Sequence, residues 1–263
     1  MTWTKKKSVT LIGIVLAVAM VVAGKRMFFP SAGDRDFAMD ERALLQAPGG
    51  LVVIRPTHYP YLRRDAVLYA SASTNYDHPR VMGRNVPFRD VIAAAYDQRR
   101  ARVILPPDAP TDHFDFIVTA PSGPEKPLQA EIRKKLGYVA QSETRDTDVL
   151  ALKIADASLP GLKPSGDQEK RNIFYDDISL HLTHMQIAVM SRLLEQFLET
   201  PIVDQTGVTN FYNFSVPWGS ATLRRLRDDT AVRATADQML NDHGLRLEPA
   251  TVSAEVLVVK KAH

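Results

Sequence analysis

One pattern of residues occurs twice in this chain, at a constant distance of 107 positions. Gly137 and Gly244 each follow a run with helical spacing, and the apolar runs beyond them end at Lys153 and Lys260, also 107 positions apart. No insertion is needed to align the two stretches. The pattern predicts an internal duplication, in which one structural plan is used twice; the alternative is a chance likeness between two α/β segments.

Each copy predicts the same α+β plan, β-α-β-β-α-β-β, with helices packed on sheets. Apolar residues three and four positions apart indicate a helix from Pro87 to about Asp97, and strict alternation indicates a strand from Phe114 to Thr119. The first copy is expected to end in two strands, 138–143 and 149–154, and residues 173–182 to form one strand that opens the second copy. The predicted organisation is a first repeat at 48–156, a linker rich in proline and glycine at 157–171, and a second repeat at 172–263.

The first 33 residues predict a signal anchor and a tether. Three lysines, Lys5 to Lys7, precede an apolar run from Val9 to Ala23, which is the arrangement of an export signal. With the apolar triplet 27–29 included, the run is long enough to span a membrane, so membrane contact is expected through residues 9–29. The positive-inside rule then predicts a single-pass protein of the inner membrane with its C-terminal domain extracytoplasmic. The alternative is a secreted or periplasmic protein, after signal cleavage near Ala23.

Composition excludes several classes of function. The net charge is +3, but residues 1–33 contain five of the 33 basic residues and no acid, so acids exceed bases by two in the rest of the chain. A nucleic-acid partner is therefore not expected. The chain contains no cysteine, which excludes disulfides, thiolate metal sites and a cysteine nucleophile.

A segment of weak periodicity is the candidate recognition surface. Tyrosine and arginine dominate many protein binding surfaces, and both are concentrated between positions 55 and 78. The segment is either an exposed recognition loop or an edge strand and long loop packed by its aromatic rings. The candidate loop residues are Tyr59, Tyr61, Arg63, Arg64, Tyr69 and Tyr76.

A second motif is predicted to be a structural turn. The run Asp204-Gln-Thr-Gly is similar to the aspartic protease motif but contains an inserted residue, and a protease needs a second such loop to share its proton. A turn is therefore expected at this motif, in which Gly207 can adopt a positive φ. The motif residues are Pro201, Asp204, Thr206 and Gly207.

Histidines near acidic residues offer no convincing metal or catalytic site. His181 and His184, with Asp176 and Asp177 nearby, have a spacing that can bind metal on a helix. His181 is expected on a strand and His184 at the start of a helix, so the two rings need not converge. His113 and Asp115 alternate with phenylalanines, which predicts the exposed face of a half-buried strand, and no third group is visible for a Ser-His-Asp set. No catalytic residue, cofactor or metal is predicted.

Several pieces of the chain resemble a known family. They include Gly50-Leu-Val-Val-Ile-Arg-Pro, Asn85-Val-Pro-Phe-Arg-Asp and Pro201-Ile-Val-Asp-Gln-Thr-Gly, and the likeness covers residues 48–260. The chain resembles the soil-associated bacterial protein family of unknown function, an exported domain common in Acidobacteria. No reaction, cofactor or catalytic residue is established for that family, so the resemblance implies export and no chemistry. Asn213 departs from the family pattern, because an acidic residue is usual there. A weaker, fold-level likeness is to the short N-terminal modules of secretins and TonB-dependent receptors.

The expected function is that of a membrane-tethered extracytoplasmic interaction module without catalysis. An open sheet face, a strand edge such as Phe211 to Val216, or the candidate recognition loop would contact an unknown protein or envelope component. The alternatives are a hydrolase that uses acidic residues and histidines, and a structural subunit of an envelope assembly. A pocket that brings His113, His181 or Asp204 together would favour the hydrolase.

Overall fold

The computed structural model describes residues 37, 41–59, 66–70, 80–159, 161–166, 168–177, 179–217 and 229–262. These ranges contain a mixed fold of five α-helices and three four-stranded sheets. The predicted signal anchor at 1–33 lies outside them. Among the described residues, no helix is both long and apolar enough to cross a membrane.

The described part of the first half contains three helices and six strands. In the second of these helices, the three- and four-residue spacing puts Phe88, Val91, Ile92 and Ala95 on a buried face, as predicted. The strands are β1 (Val52–Pro56), β2 (Ala66–Ala70), β3 (Arg80–Pro87), β4 (Val103–Ile104), β5 (His113–Val118) and β6 (Tyr138–Ile154). The helices are α1 (Glu41–Gln46), α2 (Phe88–Ala95) and α3 (Glu125–Leu136), and Arg100–Arg102 form a 3-10 turn.

The described part of the second half contains six further strands and two helices. The strands are β7 (Lys163–Pro164), β8 (Asn172–Tyr175), β9 (Leu180–Gln186), β10 (Ile202–Asp204), β11 (Phe211–Val216) and β12 (Leu245–Lys261). The helices are α4 (Ile187–Leu198) and α5 (Asp229–Asp242). Gly137 and Gly244 follow α3 and α5 with φ of +74° and +72°, a left-handed conformation that glycine adopts without strain.

Two of the sheets share one strand order. Sheet A has the order β1-β5-β3-β2 and sheet C the order β7-β11-β9-β8, with antiparallel pairing throughout. The two middle strands of each sheet pair across a bulge, between Gly83 and Val86 in sheet A and at the level of Tyr212 in sheet C. Asn85 and His184 lie in these bulges with the same positive φ of 54°.

Asp115 stabilises the bulge of sheet A, and its predicted exposure is wrong. The side chain is fully buried. Its Oδ1 accepts hydrogen bonds from the backbone N–H of Asn85 at 3.0 Å and the hydroxyl of Thr57 at 2.8 Å. Its Oδ2 accepts them from the backbone N–H of His58 at 3.0 Å and Nε of Arg55 at 3.3 Å. Burial of the carboxylate is tolerated because both of its oxygens have donors.

Asn213 occupies the matching position in sheet C. Its Oδ1 accepts a hydrogen bond from the backbone N–H of His184 at 2.8 Å, and its Nδ2 donates to Oε2 of Glu169. A carboxylate could accept the first bond but could not donate the second. This second bond explains an amide at a position where the family resemblance implies an acid.

Exchanging the two side chains is expected to have unequal effects. Asp115→Asn keeps the bond to Asn85 but turns an NH2 group towards the donors of Arg55 and His58, so we expect the free energy of unfolding to fall by about 3 kcal/mol. Asn213→Asp places its new charge beside the exposed Glu169 and is expected to cost less than about 1 kcal/mol. Urea denaturation of both variants measures the difference, and equal losses would show that Asp115 has no special role.

Sheet B joins strands from both halves of the chain. Its order is β10-β6-β12-β4, with the two long strands as neighbours. β10 of the second half pairs in parallel with β6 of the first half, and β4 of the first half pairs in parallel with β12 of the second. Two equivalent hydrogen bonds of 2.8 Å, from Ala155 N–H to Gly244 O and from Ala262 N–H to Gly137 O, close the two ends of the β6-β12 ribbon. The last strand of each half is therefore bordered by strands of the other half.

The long strands correct the predicted end of each copy. Tyr138–Ile154 form one strand of 17 residues instead of two, and so do Leu245–Lys261. The polar residues between Glu143 and Val149 remain extended because β12 runs beside them, and Thr251 Oγ1 donates to Oδ1 of Asp148 at 2.8 Å. From β3 to β6, and from β9 to β12, the order is therefore β-α-β-β-α-β.

Three further local predictions in the second half are wrong. Residues 173–182 form a hairpin of β8 and β9, closed by a turn in which Oδ1 of Asp176 accepts the backbone N–H of Ser179 at 2.6 Å. His184 lies in β9, because α4 begins only at Ile187. The strand Phe211–Val216 is not at the edge of its sheet, since it lies between β7 and β9.

By their contacts the residues form two compact units. Unit 1 comprises the described residues of 1–96, 108–139 and 261–263, and unit 2 those of 97–107 and 140–260. In unit 2, the inner face of sheet C, with Leu182 and Phe214, belongs to one buried apolar cluster with Met190 of α4 and Met239 of α5. The repeat boundaries expected from the sequence remain predictions.

A buried ion-pair cluster lies within unit 2. Glu195 of α4 is fully buried, and its carboxylate is 2.7 Å from Nη1 of Arg99 and 2.6 Å from Nε of Arg102. The backbone N–H of Ile202 donates to the same carboxylate at 3.2 Å. The bond to Glu195 raises the pKa of Arg102 above its ordinary value, although burial acts against it. The cluster connects α4 to the 3-10 turn and to β10.

Candidate functional site

Among the residues that the structure describes, the same sheet face is covered in sheet A and open in sheet C. In sheet A, the cross-strand pair Met82 and Ile117 is fully buried in a cluster with Phe37 and with Leu44 of α1. Arg80 holds α1 in place, because its Nη1 donates to Leu44 O at 3.0 Å and to two later carbonyls. The matching pair in sheet C is His181 and Ser215, neither of which is buried.

Two aromatic rings on this open face stack on histidines. The rings of Phe174 and His181 are 4.5 Å apart and 16° from parallel. Those of His184 and Phe211 are 4.3 Å apart and 6° from parallel. Phe174 and Phe211 nevertheless remain 48% and 43% exposed. Two exposed aromatic rings on one sheet face form a candidate apolar contact surface.

The first of these histidines connects a serine to an aspartate. Nδ1 of His181 lies 2.8 Å from Oγ of Ser215, and Nε2 lies 2.7 Å from Oδ2 of Asp176. His181 and Ser215 face each other because β9 and β11 pair in this register. The turn fixes Asp176, since its other oxygen is occupied by the N–H of Ser179.

The second histidine has a serine partner in a different arrangement. Nδ1 of His184 lies 2.8 Å from Oγ of Ser165, but that hydroxyl also donates to Oε2 of Glu169 at 3.1 Å. Glu169 accepts bonds from Asn213 and from the N–H of Gly166, which lower the pKa of its carboxyl, and His184 acts in the same direction. Here the serine, and not the histidine, contacts the acid.

Ser215 also borders a groove of about 500 Å³ within unit 2. On the sheet side the groove is lined by Ser179, Ser215 and Pro217, and on the helix side by residues of α5 that include Gln238 and Met239. His243 lies at the end of the groove and is buried, with its Nδ1 2.7 Å from Met239 O. The groove therefore combines an apolar wall with several polar residues, and Ser215 is one of the residues that line it.

The predicted turn motif has a regular hydrogen-bond pattern. Oδ1 of Asp204 accepts bonds from the backbone N–H of Thr206 at 2.9 Å and from its hydroxyl at 2.7 Å. Gly207 follows with φ of +67°. Pro201 precedes the motif, and its carbonyl accepts the N–H of Leu150 at 2.9 Å. These bonds make the motif a turn that connects β10 to the chain beyond it.

Most of the candidate recognition loop lies outside the part of the chain that the structure describes. Tyr61, Arg63, Arg64 and Tyr76 lie outside the described residues, as does the side chain of Tyr69. Tyr59 is described, and its ring lies 4.8 Å from the guanidinium carbon of Arg84. Tyr59 also packs against the cluster beneath α1, so this residue is at least partly structural.

Of the acidic residues and histidines that were candidates for a hydrolase site, only some lie close together. His181 and Asp176 are brought together, whereas His113 is exposed on β5 and Asp204 belongs to its turn. In the described part of the chain, no three His, Asp or Glu side chains converge in a way that could hold a metal ion.

Sequence reasoning missed Ser215, Phe174 and Phe211 as site residues. The alternation in β11 could have marked Phe211 and Ser215 as neighbours on one face, since Tyr212, Phe214 and Val216 are the buried positions. Nothing local could have paired Ser215 with His181, because that contact depends on the strand register.

Comparison with known families matches residues 89–262 to one described as a protein of unknown function (DUF3738). The match begins in α2 and extends through β12, so it covers more than half of the chain and all of sheets B and C. Comparisons with curated proteins and with solved structures find no match. The resemblance to a family of unknown function is thus confirmed at that level, and the chain belongs to the DUF3738 family.

Proposed function

We propose that the protein is a membrane-tethered extracytoplasmic interaction module and that the open face of sheet C is its binding face. The observation that carries this proposal is the contrast between the two sheets. In sheet A, Phe37 and Leu44 cover Met82 and Ile117. In sheet C, the described residues leave the matching pair, His181 and Ser215, available for contact with a partner. The matching strand orders and bulges support one duplicated plan, of which one copy has kept a free face.

The binding face has the composition of a protein recognition surface. Phe174 and Phe211 supply rigid apolar area, and His181 and His184 keep those rings in fixed orientations by stacking. Aromatic residues of this kind contribute most of the energy in many interfaces. The partner is therefore a protein or an envelope component with an apolar contact surface. The fold-level likeness to secretin and TonB-dependent receptor modules agrees with this view but is an analogy alone.

The location belongs to the same proposal. The lysine cluster and apolar run at positions 5–29 support an inner-membrane anchor that leaves the folded residues extracytoplasmic. On this view the tether holds the binding face near the membrane surface, where envelope components are concentrated.

Removing the two exposed rings is expected to abolish partner capture. The full chain, its Phe174→Ala/Phe211→Ala variant and an Ile104→Ala control are isolated from membranes after chemical crosslinking. We expect the double variant to retain any specific partner at least about tenfold less than wild type, because each ring contributes about 1 kcal/mol or more. Ile104, an exposed apolar residue of sheet B, is expected to be dispensable.

Two results would contradict the proposal. Equal capture by the double variant and the wild type would show that the open face of sheet C is not the binding face. An intact mass that corresponds to a chain starting near Gly24 would contradict the uncleaved anchor, whereas a full-length mass in the membrane fraction supports it.

A hydrolase is the second candidate function, and one observation favours it. Asp176, His181 and Ser215 form a continuous chain of hydrogen bonds that ends at a groove. This is the residue set by which hydrolases activate a serine.

A further inference from the structure

We propose that Ser215 is a nucleophile that accepts an acyl group from small carboxylic esters bound in the groove beside α5. The inference deepens the hydrolase candidate and does not depend on partner binding at the open face. It stands on three observations: the order of the hydrogen-bonded groups, the contrast with the Ser165 site, and the position of the groove.

The first observation fixes the direction of the hydrogen bonds. The carboxylate of Asp176 can only accept, so the proton of the neutral His181 ring lies on Nε2 and points to Oδ2 at 2.7 Å. Nδ1 then carries the lone pair that can accept a proton, and the hydroxyl of Ser215 donates to it at 2.8 Å. Ser215 therefore contacts a base, and that base contacts a positioning carboxylate.

The second observation is an internal comparison. At the other serine-histidine pair, the Ser165 hydroxyl donates to Oε2 of Glu169 at 3.1 Å and lies 2.8 Å from Nδ1 of His184, so Glu169 contacts the serine and does not position the histidine ring as Asp176 positions that of His181. Glu169 is also a weak base, because Asn213 and Gly166 hold its pKa below the ordinary value. The two serines lie on one sheet face, but only the Ser215 arrangement activates the hydroxyl.

The third observation is the groove, which specifies the class of substrate. Ser215 is exposed and is one of the residues that line the groove, so an ester held there lies close to this residue. Pro217, Ala234 and Met239 offer an apolar wall for a short acyl chain, and Thr235 and Gln238 offer polar groups near the ester oxygens. About 500 Å³ accommodates a small ester.

The transfer needs no further reagent than water. Oγ of Ser215 attacks the ester carbonyl carbon while its proton passes to Nδ1 of His181, and the charge of Asp176 stabilises the resulting imidazolium. The bond from the carbonyl carbon to the leaving oxygen then breaks, and the imidazolium returns the proton to that oxygen. Water hydrolyses the acyl-serine by the same two proton transfers, which releases the acid and restores the serine.

The test uses the full chain in detergent with p-nitrophenyl acetate as the probe. We expect release of p-nitrophenol and an acetyl group on the peptide that contains Ser215, as located by mass spectrometry. Ser215→Ala is expected to remove the adduct, and His181→Gln to slow its formation about 100-fold. Ser165→Ala is the matched control and is expected to acylate at the wild-type rate. Circular dichroism of each variant checks that the fold is intact.

The role of Asp176 needs a measurement that distinguishes positioning of the His181 ring from a contribution to folding. Asp176→Asn can still accept the N–H of Ser179 through Oδ1, but its NH2 group cannot accept the proton of His181. We expect slower acylation by the asparagine variant, with an unchanged melting temperature and with rescue by Asp176→Glu.

Each outcome of the labelling experiment either supports or overturns the inference. Labelling of Ser215 that needs His181 and not Ser165 supports the inference. Adducts spread over lysines and histidines, or equal rates in wild type and Ser215→Ala, overturn it. A serine-directed fluorophosphonate is a second probe: phosphonylation at Ser215 supports the inference, and no phosphonylation contradicts it. Partner capture that continues in Ser215→Ala leaves the proposed interaction function standing when the nucleophile fails.

Discussion

Expressed separately, residues 34–170 and residues 171–263 are each expected to fail to form a stable monomer, and mixing them is expected to restore the fold. The physical reason lies in sheet B. The first fragment lacks β10 and β12 beside β6, and the second lacks β6 and β4 beside β12. Residues Val149–Leu152 and Val256–Val259, all buried in the whole chain, would then border unpaired strand edges.

Size-exclusion chromatography and thermal melting of each fragment, and of the mixture, provide the measurement. We expect aggregates or uncooperative melts from the single fragments and one cooperative transition from the mixture. The matched control is the whole chain cleaved once between Lys170 and Arg171, two exposed neighbours, which should remain a single folded species. A cooperative monomeric melt from either fragment alone would contradict the exchange of strands between the halves.

The second large effect is expected at Glu195. Glu195→Ala leaves the guanidinium groups of Arg99 and Arg102 without the carboxylate that both contact, and it removes the acceptor of the Ile202 N–H. We expect the free energy of unfolding to fall by about 3 to 5 kcal/mol, because uncompensated charges in a partly buried site are costly. Urea denaturation at neutral pH measures the loss.

A matched control lies one turn further along the chain. Glu199 is half exposed and is 3.2 Å from Nη1 of Arg100. Glu199→Ala should reduce the free energy of unfolding by less than about 1 kcal/mol, because solvent screens an exposed pair. Similar losses in the two variants would show that burial of Glu195 does not determine its contribution.

Several local elements agree with the sequence, although the hairpin of β8 and β9 and the start of α4 do not. In α2 and in α4, the apolar residues with helical spacing form a buried face, which includes Phe88 and Ile187. The glycines after α3 and α5 have the positive φ that a helix end requires. Such features depend on residues within one or two turns, so composition and period are sufficient to predict them.

Two further errors occur where a distant part of the chain determines the result. Residues between Glu143 and Val149 have no strong preference for a strand, and only the neighbouring β12 keeps them extended. Asp115 alternates like an exposed residue, yet donors from Thr57, His58 and Asn85 make its burial tolerable. Neither outcome can be found from a local pattern, since the partners are 30 to more than 100 positions away.

The candidate site shows the same division. His181 and Asp176 were not predicted to form a site from the sequence, and the structure connects them to Ser215, 34 positions from His181. The uncovered face of sheet C was found by comparing how residues pack on the two sheets. The sequence repeat alone could not show this difference. What covers a face is a tertiary property.

By itself the sequence determined the buried face of α2, the glycines that end α3 and α5, a repeated α+β plan, and the absence of cysteine chemistry, because these follow from composition and from patterns in the sequence. Only the tertiary structure decided that the halves exchange strands, that Asp115 and Glu195 are buried, and that a serine, a histidine and an aspartate meet beside a groove. The physical reason is that strand register and burial are set by partners far along the chain, whose identity no local periodicity encodes.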